Sequence, residues 1–312
     1  MKAIIVGSNG YLGQNIIISL LEKGVQLVCH DLHDASALTE HSHLFSYHKL
    51  DITDGVAVAA VDWNADAVFF LAGSTGTRVS IEKAPFYVKT NELGLAHVLD
   101  TLVKQNVHPR ILFPSTRLVY KGATGPIPED HEKEFKTVYA LNKFSCEQLL
   151  RIFAVNYGIP YTVFRICVPY GNLGNVPFSY GTIGFLMKQA ATGAIILYGD
   201  GSQRRTFTHV GDIAEIMFRC LSAKQTENAV YNMGGEDYSL KQLAEMIATL
   251  RQATIRFQEW PALDLLLESG DTVFDSRKLD LLLPYRYQYR FLDWLNSPGL
   301  RRKEKMETDT EI

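Results

Sequence analysis

An apolar run, Ala3 to Val6, breaks into Gly7-Ser8-Asn9-Gly10-Tyr11-Leu12-Gly13 and then into a helical stretch, Gln14 to Glu22. This order of strand, glycine turn and helix constrains the fold more than any other feature of the chain. Three glycines let the backbone turn tightly and approach a pyrophosphate, while the helix N-terminus offers unpaired N–H groups and a positive dipole end. A glycine trio by itself also fits any tight strand-to-helix turn. Here a first strand precedes it, a helix follows, and Asp31 ends a second strand at about the distance of a ribose-binding acid. The expected dinucleotide site is therefore Gly7, Asn9, Gly10, Tyr11, Leu12, Gly13 and Asp31. A carboxylate that accepts the adenosine 2′-hydroxyl repels a 2′-phosphate, and no Arg follows at once to receive one, so NAD is expected over NADP. Asp51 and Ile52, after the third strand, either flank the adenine or form a turn and cap.

The first half continues in the same rhythm. Ala3–Val6, Gln26–Cys29, Ala67–Leu71, Arg110–Phe113 and Tyr161–Arg165 read as strands with amphipathic stretches between most of them. Parallel neighbours need crossover connections, so the pattern predicts an α/β fold, a Rossmann-type doubly wound parallel sheet over residues 1–170. After about residue 170 the rhythm loosens into Gly, Asn and Pro, which predicts a smaller C-terminal substrate-binding lobe over 171–298. Its expected pieces are helices near 180–192, 211–223 and 239–251 and strands near 195–197, 229–232 and 255–257. Residues 299–312 are all charge and polarity, and a disordered tail is expected there.

Composition excludes several classes of partner. A net charge of −3 leaves no broad basic face for nucleic acid or an anionic membrane. No apolar stretch is long enough to span a bilayer, and the N-terminus lacks a signal-like run, so a cytoplasmic address is expected. The four cysteines, Cys29, Cys146, Cys167 and Cys220, show no metal-ligand spacing, and no metal is expected.

Tyr139 and Lys143 stand four apart in a strongly helical segment and share one face. Ser115 and Thr116 directly follow the strand Ile111–Phe113, at the sheet edge where open α/β folds bind ligands. A phenol with a pKa of about 10 needs a neighbouring cation to act as a base at neutral pH, and Lys143 can supply it. Together Gly7/Gly10/Gly13, Asp31, Leu71-Ala72-Gly73, Asn91, the segment 115–120 and Tyr139/Lys143 resemble the extended short-chain dehydrogenase/reductases. The resemblance implies that Tyr139 is the general base or acid, that Lys143 binds the nicotinamide ribose and lowers the phenol pKa, and that Thr116 completes the triad. It further implies that Leu71, Ala72 and Gly73 line the cofactor and that Asn91 supports the active-site backbone or water network.

The segment Tyr198 to Asp212 resembles an element of nucleotide-sugar epimerases, dehydratases and decarboxylases whose arginine binds the substrate diphosphate, and Arg205 holds that position. Three residues depart from the pattern: Val168 stands for an asparagine, Glu268 for an arginine and Thr206 for an aspartate. Arg204 either compensates or forms a surface pair. Thr75 and Asn175 either line the sugar or stabilise loops. Dehydratases of this kind carry two acids after the threonine, whereas this chain reads Arg117-Leu118. The expected ligand is a nucleotide-diphosphate sugar and the expected activity a 4-epimerase; the alternatives are a 4-ketoreductase or 4-dehydrogenase, a 4,6-dehydratase, or a binding protein without turnover. Apolar stripes on helices 85–105 and 138–157 suit either a homodimer contact or core packing.

Overall fold

The computed structural model describes residues 1–178 and 181–297. The tail expected at 299–312 lies outside the described residues. Among the described residues twelve strands form three sheets: β1 Lys2–Val6, β2 Gln26–Asp31, β3 Ser46–Lys49, β4 Ala67–Phe70, β5 Arg110–Thr116, β6 Tyr161–Ile166, β7 Val168–Tyr170, β8 Ala194–Tyr198, β9 Arg204–His209, β10 Ala229–Asn232, β11 Glu236–Ser239 and β12 Thr254–Gln258. The largest sheet has seven strands in the order β10-β6-β5-β4-β1-β2-β3, and every pairing in it is parallel.

Alternation along the central strands sends side chains to two separate cores, as a sheet covered on both faces requires. From β1, Ala3 and Ile5 meet the helices Tyr11–Glu22 and Val210–Ser222, packing with Ile16, Ile17, Ile213 and Met217. Ile4 and Val6 point the other way, toward Leu95, Leu99 and Leu102 of the helix Gly94–Gln105 and Cys146 and Leu150 of the helix Val138–Tyr157. The strand order reverses between β1 and β4, which opens a crevice at their carboxyl ends.

The doubly wound fold is as the sequence predicts, while the lobe differs in composition. The strand near 229–232 is β10, paired with β6 at the edge of the main sheet, and the helix Val210–Ser222 packs on that sheet too. Both belong to the larger layer because their apolar faces fit the cover already begun by the helix Tyr11–Glu22. The lobe proper holds a three-stranded sheet, β11-β9-β7, which the sequence reading did not anticipate, and the parallel pair β8 and β12. Its core gathers Leu197, Phe207, Leu243, Ile247, Phe291 and Trp294. A π turn, Val88–Leu93, interrupts the helical region expected at 85–105.

Candidate active site

Two cavities lie along the crevice. The first, of about 460 Å³, is lined by Gly7, Asn9, Gly10, Asp31, Asp51, Ile52, Leu71, Ala72 and Gly73, all foreseen, and by Phe86, Lys89 and Thr90, which were not. Its floor is backbone. Gly7 has φ +87, and a Cβ there would meet Ala72 N at 2.5 Å; a Cβ on Gly13 would meet Gly7 O at 2.3 Å. The turn and the helix are therefore pressed together as only glycine permits. Gly10 caps the helix with no side-chain hydrogen bond, so the first turn keeps N–H groups for a ligand.

The other foreseen cofactor residues play distinct parts. Asp31 Oδ2 accepts from Asn9 N at 2.9 Å and its Oδ1 meets His33 Nδ1 at 2.7 Å. The Asn9 side chain ties down the segment after β2, donating to Ala35 O and Tyr47 OH and accepting from Ala37 N. Tyr11 OH donates to Gly171 O at 2.7 Å, across to the lobe. Asp51 caps its own turn, accepting from Thr53 N at 2.8 Å, while lining the cavity. Buried in the π turn, Asn91 accepts from Ser74 N at 2.7 Å and donates to Ser74 O at 3.1 Å. It holds the chain beyond β4 as a second peptide would. Such turns recur at functional sites because they turn one side chain out of helical register.

The second cavity, of about 480 Å³, adjoins the first at Leu71 and is lined by Leu12, Thr75, Ser115, Thr116, Tyr139 and Lys143, together with Arg117, Leu118, Cys167 and Val168. Thr137 caps the helix Val138–Tyr157 by accepting from Ala140 N at 3.1 Å, which fixes where Tyr139 and Lys143 begin. Lys143 Nζ donates to Pro114 O at 2.8 Å and stands 4.3 Å from the Phe113 ring centroid. Burial pushes its pKa down to about 8, against the pull of Cys146 and Glu147. Thr116 Oγ1 accepts from Leu118 N at 3.3 Å, turning the chain after β5.

Behind this cavity lies a network absent from the sequence reading. Glu147, one turn beyond Lys143, takes both Nη2 and Nε of Arg165, at 2.6 and 3.0 Å, and accepts from Ser115 Oγ. Arg165 Nη1 reaches Tyr120 OH at 2.6 Å, and Tyr120 OH donates to Asn232 Oδ1 at 2.7 Å. The network joins the helix Val138–Tyr157 to β5, β6 and β10. A bidentate, fully bonded pair of this kind fixes geometry as much as it stabilises.

Two substrate-side expectations sit elsewhere. Asn175 lines a separate cavity of about 190 Å³ beside Gln14 and Ala37. Arg205, in β9, is not among the described residues that line the second cavity. Its Nη2 pairs with Glu268 Oε2 at 2.9 Å, with side chains only 8% and 14% exposed, so its charge is already met by protein. Thr206 donates to Asp237 Oδ1 at 2.6 Å and accepts from Phe274 N at 2.9 Å, a part in the lobe's own scaffold.

The model of the NAD dependent epimerase/dehydratase family matches residues 3–234. The chain belongs to that family. Among its relatives, UDP-glucuronate 4-epimerase of Thermodesulfobacterium geofontis is 28% identical over 263 residues, covering 79% of this chain and 80% of that protein. UDP-N-acetyl-alpha-D-glucosaminuronate decarboxylase of Bacillus cytotoxicus is 26% identical over 291 residues, covering 90% and 89%. The structure of UDP-glucose 4-epimerase of Thermotoga maritima, with UDP-glucose, superposes with a TM-score of 0.85 at 20% identity, covering 98% of this chain and 100% of that one. Family members thus share one fold and carry out more than one reaction.

NAD is the cofactor of the family, and the residues present fit it. A cradle that any Cβ at Gly7 or Gly13 would fill leads to a helix with free N–H groups, and a carboxylate stands at the end of β2. No helix among the described residues is long and apolar enough to cross a membrane, and no His/Cys/Asp/Glu cluster among them could hold a metal.

Proposed function

We propose that this family member is a nucleotide-sugar 4-epimerase. The observation that carries the reading is the lining of the catalytic cavity: Thr116, Tyr139 and Lys143 are present, and no Asp or Glu is among the described lining residues. Dehydration across C5 and C6 needs a further acid and base, and Arg117 and Leu118 stand where such acids would follow Thr116. A protein that only bound its ligand would have no physical need of the Tyr139/Lys143/Thr116 set.

In this reading Tyr139 takes the proton of the C4 hydroxyl and, after the keto sugar has turned over, returns one to the C4 oxygen. Lys143, held against Pro114 O, keeps a positive charge beside the phenol and favours its ionised form. Thr116 positions the C4 oxygen, and Leu12, Leu71 and Val168 exclude water. Bound in the first cavity, NAD supplies the hydride acceptor and donor at C4. Apolar side chains exposed on and beside the helix Val138–Tyr157, Leu93, Leu141 and Val155, support the accompanying proposal of a homodimer.

The test uses UDP-glucose and UDP-glucuronate labelled with deuterium at C4. The C4 epimer should form with its label kept, and in heavy water C5 should gain no deuterium. Tyr139→Phe should lower turnover by at least about a hundredfold with NAD content unchanged. A 6-deoxy-4-keto product would assign a dehydratase, and stoichiometric consumption of NAD(P)H a reductase.

A further inference from the structure

Three charged side chains from distant parts of the chain meet at the lobe side of the catalytic cavity: Arg117 after β5, Arg205 in β9, and Glu268. Two cations and one carboxylate leave one positive charge over. The structure shows which cation it is. Arg205 is paired with Glu268 at 2.9 Å and stands outside the cavity lining among the described residues. Arg117 lines the cavity, one residue from Thr116, and no Asp or Glu among the described residues lies within ion-pair reach of it.

What holds Arg117 is neutral. Its Nη1 donates to Ser269 Oγ at 2.7 Å and to Thr272 Oγ1 at 3.3 Å. No acceptor among the described residues meets Nε or Nη2. A guanidinium carries five N–H donors in a planar fork, so the fixed side chain retains donors for a second, bidentate partner. Burial and the neighbouring Arg205 disfavour its charge and lower its pKa to about 10, while Glu268, beyond ion-pair distance, pulls more weakly the other way. A half-buried cation in that setting is relieved by an anion, and this cavity offers it none from the protein.

We propose that Arg117 is the anion-reading residue of the substrate cavity, and that the substrate brings an oxyanion to its free fork. The inference rests on the nucleotide-sugar reading above. It places the anion contact at Arg117, with Arg205 and Glu268 as the pair that steadies the strand behind. Two groups of a nucleotide-sugar present this chemistry, a carboxylate at C5 of the sugar and the diphosphate. The first lies one carbon from the C4 that Thr116 and Tyr139 address.

The experiment titrates NAD-loaded protein with UDP, UDP-glucose and UDP-glucuronate, comparing wild type, Arg117→Gln and Arg117→Lys. Arg117→Gln should weaken binding by about ten- to a hundredfold, the effect of losing a charged, forked contact. Loss confined to UDP-glucuronate identifies the sugar carboxylate; equal loss for all three identifies the diphosphate. Arg117→Lys keeps charge and bulk but not the fork, so it should recover only part of the affinity. Unchanged titrations in Arg117→Gln overturn the proposal. So do unchanged titrations in Arg117→Lys if the Gln variant does not fold, and so does wild-type protein that binds none of the three. Because the readout is binding, an Arg117 effect without C4 epimerisation overturns only the epimerase reading. Epimerisation with unchanged binding overturns only this one.

Discussion

The two halves of the crevice are built from different materials. The cofactor half is mostly backbone: a glycine turn against Ala72, a helix end without a side-chain cap, and one carboxylate at the end of β2. The other half is mostly side chains, with Lys143 against the backbone carbonyl of Pro114, Arg117 on the Ser269 and Thr272 hydroxyls and, behind them, Arg205 on Glu268. Backbone cradles tolerate little substitution at the contact itself, since a Cβ has nowhere to go. Side-chain cavities change character when one charge is exchanged. That difference explains how one family keeps NAD while its members differ in reaction.

The comparison breaks if damage to one half spreads to the other. The largest effect is expected from Glu268→Gln, which leaves the Arg205 charge buried without its carboxylate. Stability should fall by about 3 kcal/mol, the low end for breaking a buried pair because glutamine keeps an acceptor oxygen. UDP-glucose, an anion, should restore stability to the variant more than to wild type, while NAD affinity stays unchanged. Thermal unfolding with each ligand measures this, and an equal loss of NAD affinity would show that the halves are one unit.

Gly13→Ala is the reciprocal perturbation. Its Cβ would sit 2.3 Å from Gly7 O and 2.8 Å from Ser8 O, so the helix must move off the turn. The expected cost is about 2 kcal/mol of stability, with NAD affinity down by about tenfold or more and UDP binding retained. Calorimetric titration with both ligands decides it.

The smallest effect is expected at Lys143, which lines the second cavity. Its pKa is near 8 in the folded protein without ligands, against 10.5 for an ordinary lysine. Between those values the unfolded chain binds a proton that the folded chain does not, so stability contributed by this group rises with pH. Below about pH 8 the penalty is present in full; toward pH 10.5 it vanishes. Lys143→Met should therefore exceed wild type in stability at neutral pH by a margin that shrinks as the solution becomes alkaline. A margin that does not vary with pH in denaturant titrations would mean that the lysine is not desolvated.

The cofactor half was legible in the sequence because its signals are local. Gly7, Gly10 and Gly13 lie within seven residues, and Asp31 ends the next strand. Tyr139 and Lys143 were legible for the same reason, as neighbours on one helix face. What the sequence did not give away depends on pairs far apart in the chain. Glu147 reads as an ordinary helix carboxylate until β6 brings Arg165 beneath it. Arg205 matches its motif, yet Glu268, from a different part of the lobe, had to be placed before its charge could be seen as spent. β7 is three residues long and carries no periodicity, and the place of β10 is decided by its partner β6.

The return of β10 to the main sheet has a bearing on motion. After β6 the chain enters the lobe through β7, comes back through the helix Val210–Ser222 and β10, and leaves again for β11. These three covalent crossings, with a later return of the chain to the main-sheet core at Leu279 and back to the lobe core at Phe291, stitch the two sides of the crevice, where a simple hinge would use one or two. On the main-sheet side Asp212 anchors the segment that leads back to the lobe, accepting from Tyr285 OH at 2.6 Å and Gln288 N at 2.8 Å. Walls joined at several separated points can slide over each other by small amounts and cannot swing wide. For the epimerase reaction proposed above, which passes through a free ketone, this connectivity serves retention: the walls stay together while the oxidised sugar turns over.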